Sequence, residues 1–157
     1  MPQYSADEVL QFAIRIEQTG GDFYRRLAER HRENRRLYDF FTYLAKEEEQ
    51  HEDVFADLVR YMNYEPAEQY NAEYFAYLRT QADNIIFAEE KLNDAGLIDN
   101  VSQALEFAMR REQDSINYYA EMKNFVHPDG HAKLDAIIAE ERRHYQELYA
   151  MREQVKA

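Results

Sequence analysis

Cysteine is absent from this chain, and glycine and proline are scarce, with four and three among 157 residues. Without cysteine there is no disulfide, zinc ribbon, iron–sulfur cluster or thiol nucleophile, so any bound metal must take oxygen and nitrogen ligands. With so little turn-forming punctuation, long helices are favoured over a strand-rich fold. Basic residues are also short, 19 against 31 acidic, and the net charge of −12 argues against nucleic acid or an anionic membrane as partner while leaving cations open. No run approaches the roughly 20 apolar residues of a membrane span. The start, Met1-Pro2-Gln3-Tyr4-Ser5, has neither the basic stretch nor the apolar segment of a signal peptide, and the expectation is a soluble cytoplasmic protein. The length suits one domain, 1–157, able to bury about two-thirds of the surface its unfolded form exposes.

What the chain does contain is apolar spacing of helical period in four segments. The first spans about 5–29, capped by Ser5, with Leu10, Ala13, Glu17, Gly20, Tyr24 and Leu27 inward. The second, about 34–64 and stopped by Pro66, turns Phe41, Leu44, Glu48, His51, Phe55, Leu58 and Met62 inward. The third, about 100–125, carries Leu105, Ala108, Glu112, Ser115, Tyr119 and Met122, and the Pro128-Asp129-Gly130 turn follows it. The fourth, about 130–154, lines up Leu134, Ile137, Glu141, His144, Leu148 and Met151. A structureless connection as long as 65–99 is uncommon in a compact domain, so a short helix is expected there, crossing the bundle and ended near Asn93-Asp94-Ala95-Gly96.

The chain also repeats itself. Leu10-Gln11-Phe12-Ala13 aligns with Leu105-Glu106-Phe107-Ala108, which places Glu17 on Glu112 and Tyr24 on Tyr119 at an offset of 95 (112 − 17 = 95). Glu48 and His51 fall on Glu141 and His144 at an offset of 93 (141 − 48 = 93). Two helical hairpins related by an approximate two-fold axis generate such a pattern, giving an all-α four-helix bundle of antiparallel hairpins joined by a long, partly helical crossover.

Glu and His three residues apart on a helix point to the same side, so one carboxylate and one imidazole can reach a common metal. A single such pair in a Glu-rich chain carries little weight. The register carries more, because Glu17, Glu48, Glu112 and Glu141 all sit where the apolar spacing calls for a core residue, and an unpaired buried carboxylate costs several kcal/mol. Two divalent cations against four carboxylates bring the site near neutrality, and His51 and His144 complete the ligand set. Glu48 and Glu141 are expected to bridge, with Glu17 and Glu112 terminal and one histidine on each ion. A ligand set of oxygen and imidazole suits iron best, with manganese or a mixed pair as the alternative. Tyr24 and Tyr119, two turns beyond Glu17 and Glu112, are placed either to hydrogen-bond a ligand carboxylate or simply to pack. Gly20 and Gly21, costly in mid-helix, let a neighbouring helix approach or leave room for a ligand to shift. His127 and His131 flank a turn and are left outside the site.

With Glu17, Glu48-x-x-His51, Glu112 and Glu141-x-x-His144 in this order, the sequence resembles the ferritin-like superfamily, and more closely the rubrerythrin-like diiron proteins, across essentially its whole length. The resemblance implies a non-haem diiron centre that reduces hydrogen peroxide or O2 in a homodimer, fed by a separate electron-donor protein. Ser115 stands where typical rubrerythrins place an additional glutamate, and there is no cysteine for a rubredoxin-type iron site. Bacterioferritins share the six-residue order, which makes oxidation and storage of ferrous iron the rival reading. They bind haem through a methionine where this chain has Glu49, so no haem is expected. A third reading is a metal-free helical interaction module that docks through its acidic face and Tyr-rich crossover.

Overall fold

A computed structural model describes the chain at residues 6–61, 72–91, 96 and 98–156. The expected Ser5 cap, Met62, Pro66 and the stretch Asn93-Asp94-Ala95 lie outside those residues. Five α-helices occur among them: α1 (Ala6–Arg30), α2 (Arg35–Asp57), α3 (Ala72–Lys91), α4 (Val101–Met122) and α5 (His131–Lys156). Asparagine side chains begin two of them. Asn34 accepts a hydrogen bond from the Leu37 amide at 3.2 Å and Asn100 from the Gln103 amide at 3.0 Å, each satisfying a donor that the first helical turn leaves open.

α1 and α2 form one antiparallel hairpin and α4 and α5 the other, with the hairpins packed face to face. The second helix stops earlier than its periodicity predicts. Its α-helical part ends at Asp57 and tightens into a 3-10 turn over Leu58–Tyr61, and the Tyr61 carbonyl then accepts from the His127 amide at 2.6 Å. That bond ties the end of the first hairpin to the turn of the second. α4 also closes in a 3-10 turn, Lys123–Phe125, whose Lys123 and Val126 carbonyls lie 3.1 and 2.8 Å from His131 Nε2. His131 is thereby fixed as a capping group, while His127 Nδ1 accepts from the Asp129 amide at 3.2 Å.

The crossover helix is longer than the short one expected. α3 runs for 20 residues and packs along α1 and α4, burying Phe75, Leu78, Ala82, Ile85 and Ile86. That apolar stripe completes one of two core clusters. Leu10, Ile16, Phe55, Leu58, Tyr118, Tyr119 and Leu134 belong to the cluster that α3 joins, and Tyr24, Leu27, Phe41, Leu44, Leu105 and Leu148 to the other. Between the two lies a layer of buried polar groups: Glu17, Glu48, His51, Arg111, Glu112, Ser115, Glu141 and His144. Among the described residues no helix is long and apolar enough to cross a membrane.

Candidate metal centre

The six residues singled out by register meet in this polar layer. Glu17 comes from α1, Glu48 and His51 from α2, Glu112 from α4, and Glu141 and His144 from α5. Each shares a stripe with apolar neighbours three and four residues away, so packing the stripe inward carries the charged side chain with it.

Their ligating atoms form two overlapping groups. Atoms of Glu17, Glu48, His51 and Glu141 lie within 4.8 Å of one another, and so do atoms of Glu48, Glu112, Glu141 and His144. Glu48 and Glu141 belong to both. Glu17 Oε2, Glu112 Oε2, both oxygens of Glu141, His51 Nδ1 and both nitrogens of His144 are buried without a hydrogen-bond partner. Leaving one such atom unsatisfied costs about 1–3 kcal/mol, and more when it is charged. Carboxylate oxygens and imidazole nitrogens clustered around common points are the donor set that a pair of oxygen- and nitrogen-seeking cations would satisfy.

The electrostatics describe the same unmet demand. Burial holds the Glu48 carboxyl well above the usual range despite the nearby Arg111 charge, and burial together with Glu48 raises Glu141. His51 Nδ1 lies 2.8 Å from Glu141 Oε1 and 3.6 Å from Glu17 Oε2, close in charge but off the line of a hydrogen bond. Burial alone would lower the pKa of His51; those two carboxylates outweigh it and raise the imidazole far above its ordinary value. His144 is lowered to about 4, by burial first and then by the His51 charge, so it is a neutral imidazole near pH 7.

Both tyrosines contact the cluster, and they do so across the two hairpins. The Tyr24 hydroxyl donates to Glu112 Oε1 at 2.7 Å and the Tyr119 hydroxyl to Glu17 Oε1 at 2.6 Å. Burial raises both phenols well above their usual range, which keeps each a donor. Tyr119→Phe removes only that hydroxyl and leaves a buried carboxylate oxygen short of its partner. A loss of about 1–3 kcal/mol in urea denaturation of the metal-free protein is expected, with a smaller change counting against the bond.

Three further residues at the cluster escaped the periodicity. Glu140 contacts His51 Nε2 closely, and Glu47 Oε2 lies 3.5 Å from His144 Nε2, so each hairpin places a carboxylate behind the other's imidazole. Such outer carboxylates orient a ligating histidine. Both directly precede the Glu of a Glu-x-x-His motif at the same offset of 93 (140 − 47 = 93), a signal the repeat already contained. Glu47, His51 and Glu140 also form a third close group that reaches the partly exposed face between α2 and α5. The third residue is Arg111, buried with its Nη1 3.2 Å from Glu48 Oε1 and its Nη2 3.3 Å from Glu48 Oε2. It accounts for Gly20, where a Cβ would stand 1.8 Å from Arg111 Nη2. The glycine makes room for a guanidinium, which corrects the expectation of close helix approach or space for a shifting ligand.

The rubrerythrin family model matches residues 8–152, a span that holds every residue of the cluster. The chain belongs to the rubrerythrin family. Its fold is similar to that of a Thermotoga maritima protein named as a ferritin-like diiron-carboxylate protein, at 23% identity and a TM-score of 0.66, with 99% of each chain covered. No curated protein matches the chain in sequence. The helical bundle and buried Glu/His cluster of this chain are consistent with a dimetal site.

Proposed function

We propose that this rubrerythrin-family chain is a non-haem diiron oxidoreductase that reduces hydrogen peroxide. The observation that carries the proposal is the pair of ligand groups sharing Glu48 and Glu141, with their inward oxygens and nitrogens otherwise unsatisfied. In this reading Glu17 and His51 would hold one ion and Glu112 and His144 the other, with Glu48 and Glu141 available to both. Ferrous ions held there would supply two electrons which, together with two protons from solvent, reduce one peroxide to two waters. The chain's own residues supply the setting. Tyr119 and Tyr24 hold the terminal carboxylates, Glu140 and Glu47 stand behind the histidines, and the apolar clusters on both sides keep bulk water out. Restoring the electrons calls for a separate donor protein. A cytoplasmic homodimer is the form proposed, with size-exclusion chromatography as its check.

The test is stopped-flow mixing of the anaerobically reduced, iron-loaded protein with peroxide and with O2. Oxidation several-fold faster with peroxide is expected, and a rate no faster than with O2 removes peroxide reduction from consideration. One observation favours ferroxidase or iron-storage activity as the second reading. Glu47 and Glu140 lead from the partly exposed α2–α5 face to His51, a carboxylate path suited to admitting ferrous ions. That reading requires a hollow assembly that accumulates an iron core, and a dimer that retains only its own ions excludes storage.

A further inference from the structure

Among the matched positions at which the two hairpins differ, two lie one helical turn apart beside the glutamate ligands. At the offset of 95, Ile16 of α1 corresponds to Arg111 of α4 (111 − 16 = 95), and Gly20 corresponds to Ser115 (115 − 20 = 95). Both departures serve the same group. The Arg111 guanidinium lies in the space a side chain at Gly20 would fill, and its Nη2 donates to the Ile16 carbonyl at 2.8 Å. Ser115 Oγ donates to the Arg111 carbonyl at 2.9 Å. So seated, the guanidinium engages both oxygens of Glu48, and its Nη1 lies 3.4 Å from Glu112 Oε1. Glu48 and Glu112 are both members of the second ligand group, and Glu112 belongs to that group alone.

We propose that Arg111 makes the two metal positions unequal and imposes an order on their filling. The inference rests on the dimetal reading given above. The ion between Glu17 and His51 binds first and tightly. The ion between Glu112 and His144 binds second and more weakly, because the guanidinium touches Glu112, which belongs to that position alone, as well as the shared Glu48. A guanidinium does not give up its proton in a protein, so its charge leaves only if the side chain moves. Room for that movement exists. A cavity of about 280 Å³ between α3 and α4 is lined by Arg111 itself together with Asn84, Phe107 and Asp114, whose carboxylate offers the displaced guanidinium another partner.

Manganese(II) titration of the metal-free full chain tests the order without reference to activity. Calorimetry of the unaltered protein should resolve two binding steps at least about tenfold apart in Kd. Electron paramagnetic resonance should show an isolated ion after the first step and a coupled pair after the second. Glu112→Gln should remove the second step and leave the first. Arg111→Met, and independently Gly20→Ala, which forces the guanidinium out of its seat without deleting it, should each bring the two Kd values to within a few-fold. Two ions bound in one step of equal affinity overturn the proposal while leaving the dimetal reading intact. So does an unchanged separation in both folded variants. Absence of any manganese binding removes the dimetal reading itself, and this order with it.

Discussion

Glu48→Ala is expected to lower the bound metal from two ions per chain to at most one, measured by elemental analysis after anaerobic loading and desalting. Glu48 is one of the two carboxylates common to both ligand groups, so its loss takes a donor from each position at once. It also takes from Arg111 its two-pronged partner, and removing one member of a buried ion pair costs about 3–5 kcal/mol. Glu141→Ala separates the two effects. Glu141 is equally shared and lies 2.8 Å from His51 Nδ1, so its loss takes a donor from each position while leaving the pair between Glu48 and Arg111 intact. Two ions retained in either variant would refute the assignment of these glutamates as bridges.

Loading the metal-free protein with ferrous or manganous ions is expected to raise its melting temperature by at least roughly 8–16 °C at a free ion concentration near 1,000 times the Kd of the tighter ion, the weaker ion adding to the rise. Binding to the folded state alone contributes about 4 kcal/mol there, and a domain of this size gains roughly 2–4 °C per kcal/mol. The physical source is the set of buried carboxylates that the metal-free fold holds together against their charge. The gain depends on pH, and its sign follows from Glu48 and Glu141. Both are raised above their unfolded values, so their contribution to the metal-free fold is fully present below roughly pH 4.3 and lost as pH rises through their folded values. His51, also raised, acts in the same direction from roughly pH 6.5 upward. His144, lowered to about 4, opposes them, its contribution being present above roughly pH 6.5 and lost as pH falls toward that value. Metal replaces protons on Glu48, Glu141 and His51, so the rise in melting temperature should be larger at pH 7.5 than at pH 5. Differential scanning fluorimetry with and without chelator reads the effect. No rise at either pH would favour a metal-free interaction module.

The crossed pairs of the site show how tertiary structure adds to a sequence pattern. Spacing placed Tyr24 two turns from Glu17 and Tyr119 two turns from Glu112. In the bundle each phenol instead serves the carboxylate of the opposite hairpin. The outer carboxylates follow the same rule, Glu140 behind His51 and Glu47 behind His144. Packing two antiparallel hairpins face to face turns neighbours along one helix into partners of the other hairpin's ligands, and no count along a single helix shows this. Arg111 escaped for a related reason. It flanks the apolar stripe of α4, and only the gap at Gly20 on another helix gives its guanidinium a place inside.

By itself the sequence determined the helical class, the four long bundle helices, the repeat between hairpins and the stripe on which each of the six Glu and His residues sits. A helix turns spacing into direction through local geometry alone, which is why those features are readable from one strand of text. Only the tertiary structure decided which phenol and which carboxylate answer which ligand, that α3 runs for 20 residues against α1 and α4, and that a permanent cation sits beside Glu48. Those outcomes depend on which faces meet across the bundle. That is settled by packing between residues far apart in the chain, where a periodic pattern holds no information.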